Sequence, residues 1–127
     1  MTHWAAAYIG TPWDAASQHC WAFVRRVWAE RFSLQVPEVQ IDAESPYAAR
    51  RAFGRGQDGW QQVDTPREGD GVLMAKGARI CHVGIWITPD PTPGVLHAIE
   101  HAGVIFTPLP RLGGIGYGLA GFYRRIA

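Results

Sequence analysis

Between Trp21 and Phe32 the apolar residues Trp21, Val24, Val27, Trp28 and Phe32 recur at intervals of three and four. Arg25, Arg26 and Glu30 fill the opposite side, so the segment reads as an amphipathic helix of about three turns. Pro37 bars its extension. Upstream, Thr2 is placed to cap a short turn or helix that runs through Tyr8 and stops at Gly10. Ser45 and Pro46 followed by Tyr47 to Phe53 predict a second helix, with proline at its first position and a loop from Gly54 to Gly59. Beyond Pro66 the period changes. Val72 to Met74 and the β-rich run Ile80 to Ile87 read as strands, the latter ended by Thr88 to Pro91. Gly94 to Ile99 and Val104 to Leu109 predict a strand pair turning near Ala102 and Gly103, and Gly121 to Arg125 a short closing strand. Helices first and strands afterwards give an α+β class with an antiparallel sheet.

Composition narrows the picture. At 127 residues and 14.0 kDa the chain suits one domain spanning residues 1–127. Net charge is +1, from 12 basic and 11 acidic residues, so no electrostatic footprint for nucleic acid or acidic membranes is expected. No apolar run approaches the ~20 residues of a membrane span, and residues 1–7 lack the pattern of a signal peptide. Synthesis in the cytosol is the expectation, with any outward journey made as part of a larger assembly. Two cysteines in such a chain do not read as a disulfide framework. Eleven of the twelve basic residues are Arg and seventeen residues are Ala, a skew that fits genome composition better than phosphate recognition.

Cys20 stands at the start of the amphipathic helix, where unpaired N–H groups and the positive dipole end favour a thiolate. A buried cysteine that merely packs is the equal alternative on position alone. In the strand Ile80–Ile87, alternation sets Cys81, Val83, Ile85 and Ile87 on one side and His82, Gly84 and Trp86 on the other. Cys81 therefore belongs to the core. His82 stands beside a glycine that leaves room for another chain or a substrate. A Cys–His pair needs a third polar group to fix the imidazole tautomer, and His97 on the next strand is the candidate, His101 at the turn being solvated. His97, Glu100 and His101 also match an H-x-x-E-H zinc pattern, but that chemistry needs a helix and a third ligand. No metal and no cofactor are expected. Trp60 and Trp86 are candidates for a groove or for burial alike, and Arg124 and Arg125 read as a solvated end.

These residues resemble a family. Gly10-Thr11-Pro12-Trp13 and His19-Cys20-Trp21-Ala22-Phe23-Val24 resemble the nucleophile segment of the NlpC family of papain-like cell-wall cysteine peptidases, closest to its phage tail-assembly branch. Pro66-Arg67-Glu68-Gly69-Asp70 is similar to that family's P-x-x-G-D strand entry, and His82-Val83-Gly84-Ile85 to its H-V-G-I segment. Gly94-Val95-Leu96-His97-Ala98 is similar to the strand bearing its third polar residue. The resemblance spans about residues 8 to 112. It implies a papain-like NlpC fold, with N-terminal helices packed on a small antiparallel sheet. It implies Cys20 as nucleophile, His82 as general base and then acid, and His97 as orienting residue, with Trp13, His19 and Trp86 near the substrate. The implied substrate is an amide bond of a peptidoglycan stem peptide, often that between D-glutamate and the diamino acid. The implied partners are phage tail hub or tip proteins, with synthesis in the host cytoplasm and residence at the virion tail tip. His19, Ala22 and Trp13 stand where the family carries Asp or Asn, Gly and Tyr. They support an alternative, a tail-hub structural or binding module that keeps the fold without turnover. A third reading is acyl transfer by the same Cys–His pair.

Overall fold

Alternation and helical spacing both find their elements in the computed structural model, which describes residues 3–15, 19–36, 60–89 and 91–126. A short 3-10 turn, Trp4–Ala7, is followed by the helix α1, Cys20–Phe32. Six strands come next: β1 (Trp60–Val63), β2 (Gly71–Lys76), β3 (Arg79–Ile87), β4 (Gly94–Ile99), β5 (Gly103–Pro108) and β6 (Gly118–Arg125). They form one antiparallel sheet in the order β1-β6-β2-β3-β4-β5. The class is α+β, as the order of periodicities predicts.

Three elements depart from expectation. The first turn is capped by His3, whose ring accepts the Ala5 N–H; Thr2, the expected cap, lies outside the described residues, as does the predicted helix over 47–53. Strand β1 has no clear period-2 signature, since its two middle residues are both Gln, and it forms because β6 offers a free edge. β6 itself begins at Gly118, three residues before the expected start. Arg124 and Arg125 do not form a solvated end. Arg124 grips Asp70 through two N–H···O contacts of 3.0 and 2.7 Å, and Arg125 lies over the Trp60 ring.

The sheet is apolar on both faces. On one, Val83, Ile85, Ile87, Leu96 and Ala98 meet Trp21, Phe23, Val24, Val27 and Trp28 of α1. On the other, Val72, Met74, Trp86 and Val95 are covered by Leu112, Tyr117 and Phe122. Two short 3-10 turns, Leu109–Arg111 and Gly113–Ile115, carry the chain over this second face. The far end of α1 is fixed to the turn that launches β2. Trp28 Nε1 donates to the Gly69 carbonyl at 2.7 Å, and a Cβ on Gly69 would lie 2.6 Å from the Phe32 ring. Gly69 also has φ +100, a conformation open to glycine, which gives the P-x-x-G-D turn its physical reason.

Gly84 answers the question posed by its strand: the neighbour it admits is β4. A Cβ there would collide with the Val95 side chain and lie 2.9 Å from the Leu96 carbonyl oxygen and 3.0 Å from His97 Cβ. Close approach of β3 to β4 therefore depends on a missing side chain. Gly84→Ala is expected to destabilise the protein by about 1–3 kcal/mol, since the obstruction is partly backbone. Thermal unfolding followed by circular dichroism should show a melting temperature several degrees lower, and an unchanged value would show that β4 can retreat freely.

Candidate functional site

Cys20 is the first residue of α1, and its position follows from local capping. His19 is extended (φ −75, ψ 175) and its ring Nδ1 accepts the Ala22 N–H at 3.2 Å, while its carbonyl accepts the Phe23 N–H. A neutral imidazole nitrogen thus does the work more often given to Asn, Asp or Ser at this position. Capping takes up the Ala22 N–H, while the N–H groups of Cys20 and Trp21 favour the thiolate form of the Cys20 sulfur. His19 is therefore a structural cap, a role the sequence reading did not give it.

The sheet opens where Cys20 arrives. Pairing of β3 with β4 runs from Ile87↔Gly94 to Ile85↔Leu96 and ends there. The Trp86 N–H points to β2, donating to the Asp70 carbonyl, so alternation turns the Val83 N–H toward the β4 side. Past Ile85 that donor has lost its strand partner, and it is turned instead to the Cys20 sulfur. The opposing edge of β3 is irregular too. Met74 of β2 lies opposite His82 while Ala75 lies opposite Ile80, which leaves Cys81 as the extra residue of a bulge. Cys81 is half-buried there rather than a member of the core.

His82, His97 and Thr107 form a hydrogen-bonded chain inside the protein. His82 Nε2 and His97 Nδ1 are 2.8 Å apart, and His97 Nε2 and Thr107 Oγ1 are also 2.8 Å apart. His82 is 6% exposed, His97 0% and Thr107 4%, so water does not compete for these contacts. Register accounts for the alignment. Val95 pairs with Thr107 and His97 with Ile105, placing His97 and Thr107 diagonally on one face of the β4–β5 ladder. Tyr117 then stacks on His82, with ring centroids 4.7 Å apart and planes 19° apart, and meets His97 edge-on at 6.1 Å. The Lys76 ammonium lies 5.0 Å from the centre of the same Tyr117 ring. Neither Thr107 nor Tyr117 was singled out in the sequence. Thr107 had a legible signal, as the lone hydroxyl in β5, whereas Tyr117 comes from a glycine-rich turn with no period.

Electrostatics set the resting protonation. Burial pushes the Cys20 thiol up to about 11, against the N–H groups of Val83, Trp21 and Cys20 itself, which favour the thiolate; Cys81 adds to the upward push. The helix start was expected to lower this pKa, and desolvation outweighs it. Burial also drives His82 well below its ordinary value, helped by His97 and Lys76, and holds His97 at about 4. Near neutral pH the site therefore rests as a neutral thiol and two neutral imidazoles. The hydrogen bond of His82 goes to His97, and none joins His82 directly to Cys20. Burial raises the Tyr117 hydroxyl pKa, and Cys81 and Cys20 add to the push.

The remaining sequence candidates fall outside this cluster. Trp86 is buried and packs edge-to-face on Phe122, and Trp60 is buried against Trp28. Trp13 is half-buried against the helix-side core. His97 lies in a strand and His101 in the turn after it, with φ 72 and its side chain exposed, so the two do not share a helix face as the H-x-x-E-H chemistry requires. A cleft of about 210 Å³ lies between Phe32, Leu34, Arg67, Asp70 and Arg124. It sits at the opposite end of α1 from Cys20, about 18 Å away at 1.5 Å per residue. No helix among the described residues is long and apolar enough to cross a membrane. No protein-family model matches the chain, and no curated protein matches it.

Two outcomes follow from the buried, neutral thiol. The rate of Cys20 alkylation by iodoacetamide, read by peptide mapping, should climb with pH toward about 11, because only the thiolate reacts. A plateau reached near pH 8 would contradict the burial argument. Tyr117→Ala should raise the alkylation rate several-fold at fixed pH by opening the covered side of the cluster. An unchanged rate would show that Tyr117 does not screen it.

Proposed function

We propose that the protein is a cysteine peptidase or amidase acting on peptidoglycan stem peptides as a component of a phage or phage-like tail tip, on a papain-like NlpC fold. One observation carries the reading: the helix-initial Cys20 is acted on by the backbone N–H of Val83, the residue next to His82, and His82 begins a buried His–His chain. The order Cys20, His82, His97 along the chain and the resemblance of the surrounding segments supply the family and the substrate class.

The chemistry balances with these groups alone. The Cys20 sulfur attacks the scissile carbonyl carbon as its proton passes to His82 Nδ1, the ring nitrogen not engaged with His97. The carbonyl oxygen gains negative charge beside the start of α1, whose dipole favours a developing anion. The C–N bond breaks as His82 returns its proton to the leaving amine. Water, deprotonated by His82, then attacks the thioester, releases the acid and restores the thiol. His97 holds the His82 ring throughout. Because thiol and imidazole begin neutral, the proton moves during attack rather than before it.

A second reading has its own support. The thiol is held protonated and Tyr117 covers His82, features that suit a tail-hub module that keeps the fold without turnover. Incubation with muropeptides, followed by liquid chromatography and mass spectrometry, separates the two. Hydrolysis should fall by about three orders of magnitude in Cys20→Ala and in His82→Ala. Cleavage that survives Cys20→Ala would end the peptidase reading. Absence of both cleavage and any Cys20 acyl adduct, with normal incorporation into tails, would favour the hub module. An amine-exchanged product would indicate transfer.

A further inference from the structure

The cleft at the far end of α1 lies about 18 Å from Cys20 at 1.5 Å per residue, and the reaction just described makes no use of it. We propose that this cleft is a binding site for a carboxylate borne on a small apolar group, its occupant being the carboxyl terminus of a peptide chain that ends in an aliphatic residue. Such a site would stand whether or not Cys20 is a nucleophile.

Charge sets the sign of the ligand. Three guanidinium groups, those of Arg67, Arg124 and Arg125, line the cleft against two carboxylates, those of Glu68 and Asp70. Both carboxylates are already engaged. Glu68 holds Trp4, His3 and Thr88, while Asp70 takes the Arg124 fork and the Arg67 backbone N–H. Arg67 and Arg125 have no ion pair among the described residues. Arg125 adds an independent sign: its Nε is buried without a hydrogen-bond partner, and its guanidinium is held over the Trp60 ring at 5.3 Å. A buried donor left unpaired is costly, and an acceptor brought into the cleft would relieve it. A carboxylate, with two oxygens for a guanidinium fork, is the matching anion. The two resident carboxylates disfavour a dianion at the same place. Phe32 and Leu34 supply apolar wall, which a bare inorganic anion would leave unfilled. At about 210 Å³ the space is smaller than the ~300 Å³ of ordinary small-molecule sites, so it suits the end of a chain rather than a whole ligand.

Titration of the intact ¹⁵N-labelled chain with N-acetylleucine, followed by ¹H–¹⁵N correlation spectra, reads binding at the Arg125 Nε–H and the Gly69 amide. Both signals should shift saturably with the acid. N-acetylleucine amide, which keeps the apolar body without the charge, should bind at least about tenfold more weakly. Inorganic phosphate, which keeps the charge without the body, should also bind more weakly than the acid. Arg67→Gln, at an exposed position, should weaken binding of the acid several-fold, and Arg125→Leu should abolish the saturable shift at Gly69. In the wild type, amide binding equal to the acid, tighter binding of phosphate, or no saturable shift would each overturn the proposal, even if Arg125→Leu fails to fold. So would full affinity in folded Arg67→Gln and Arg125→Leu. Octanoate binding more tightly than N-acetylleucine would overturn the peptide terminus as occupant in favour of a fatty acid.

Discussion

The ladder between β3 and β4 stops at Ile85 and Leu96, and the site is built in the space that this leaves. Two strands that paired along their whole length would occupy every N–H on the shared edge and offer no place for a helix terminus. Ending the ladder early frees the Val83 N–H and admits the first residue of α1. Gly84 keeps the two strands close enough at the last paired positions for His97 to reach His82. The bulge at Cys81 falls on the opposite edge at the same level, so β3 is regular only from Val83 onward. Helix capping by His19, the stacking of Tyr117 and the hydrogen bond to Thr107 are all arranged around this one opening.

The physical character of the opening is dryness. A polar chain of two imidazoles and a hydroxyl is satisfied within the protein, and none of its members carries charge at rest. The same desolvation that depresses both histidines raises the thiol, so the opposing shifts have a common source. Helix dipole and backbone N–H groups act on the sulfur in the expected direction, but their influence is smaller than the cost of burying a thiolate.

Much of this was legible in the sequence where period is strong. The helix over Trp21–Phe32, the strand ending at Ile87 and the hairpin around Gly103 follow from spacing and turn residues alone. Facing of His82 away from Val83, Ile85 and Ile87 follows from alternation, and His97 from the same rule on the next strand. What escaped has identifiable causes. β1 is held by its partner rather than by its own pattern, and Cys81 left the core because a bulge breaks alternation. His19 became a cap through a ring nitrogen, a use that residue preference at helix starts does not rank highly. Arg124 was drawn inward by Asp70, a residue 54 positions away along the chain. Tyr117 reaches the site from the far face of the sheet, a tertiary fact with no local signature.

Both ends of the described chain are fastened to the same short turn. Glu68 receives the Trp4 indole N–H at 2.8 Å, lies 3.0 Å from the His3 ring, and accepts both the backbone N–H and the hydroxyl of Thr88. Two residues later Asp70 takes the fork of Arg124. That turn packs under Trp28 and Phe32, so it lies at the opposite end of α1 from Cys20. Any polypeptide joined at either end would leave the molecule from this anchored corner. A tether built there would keep clear of the cysteine end of α1.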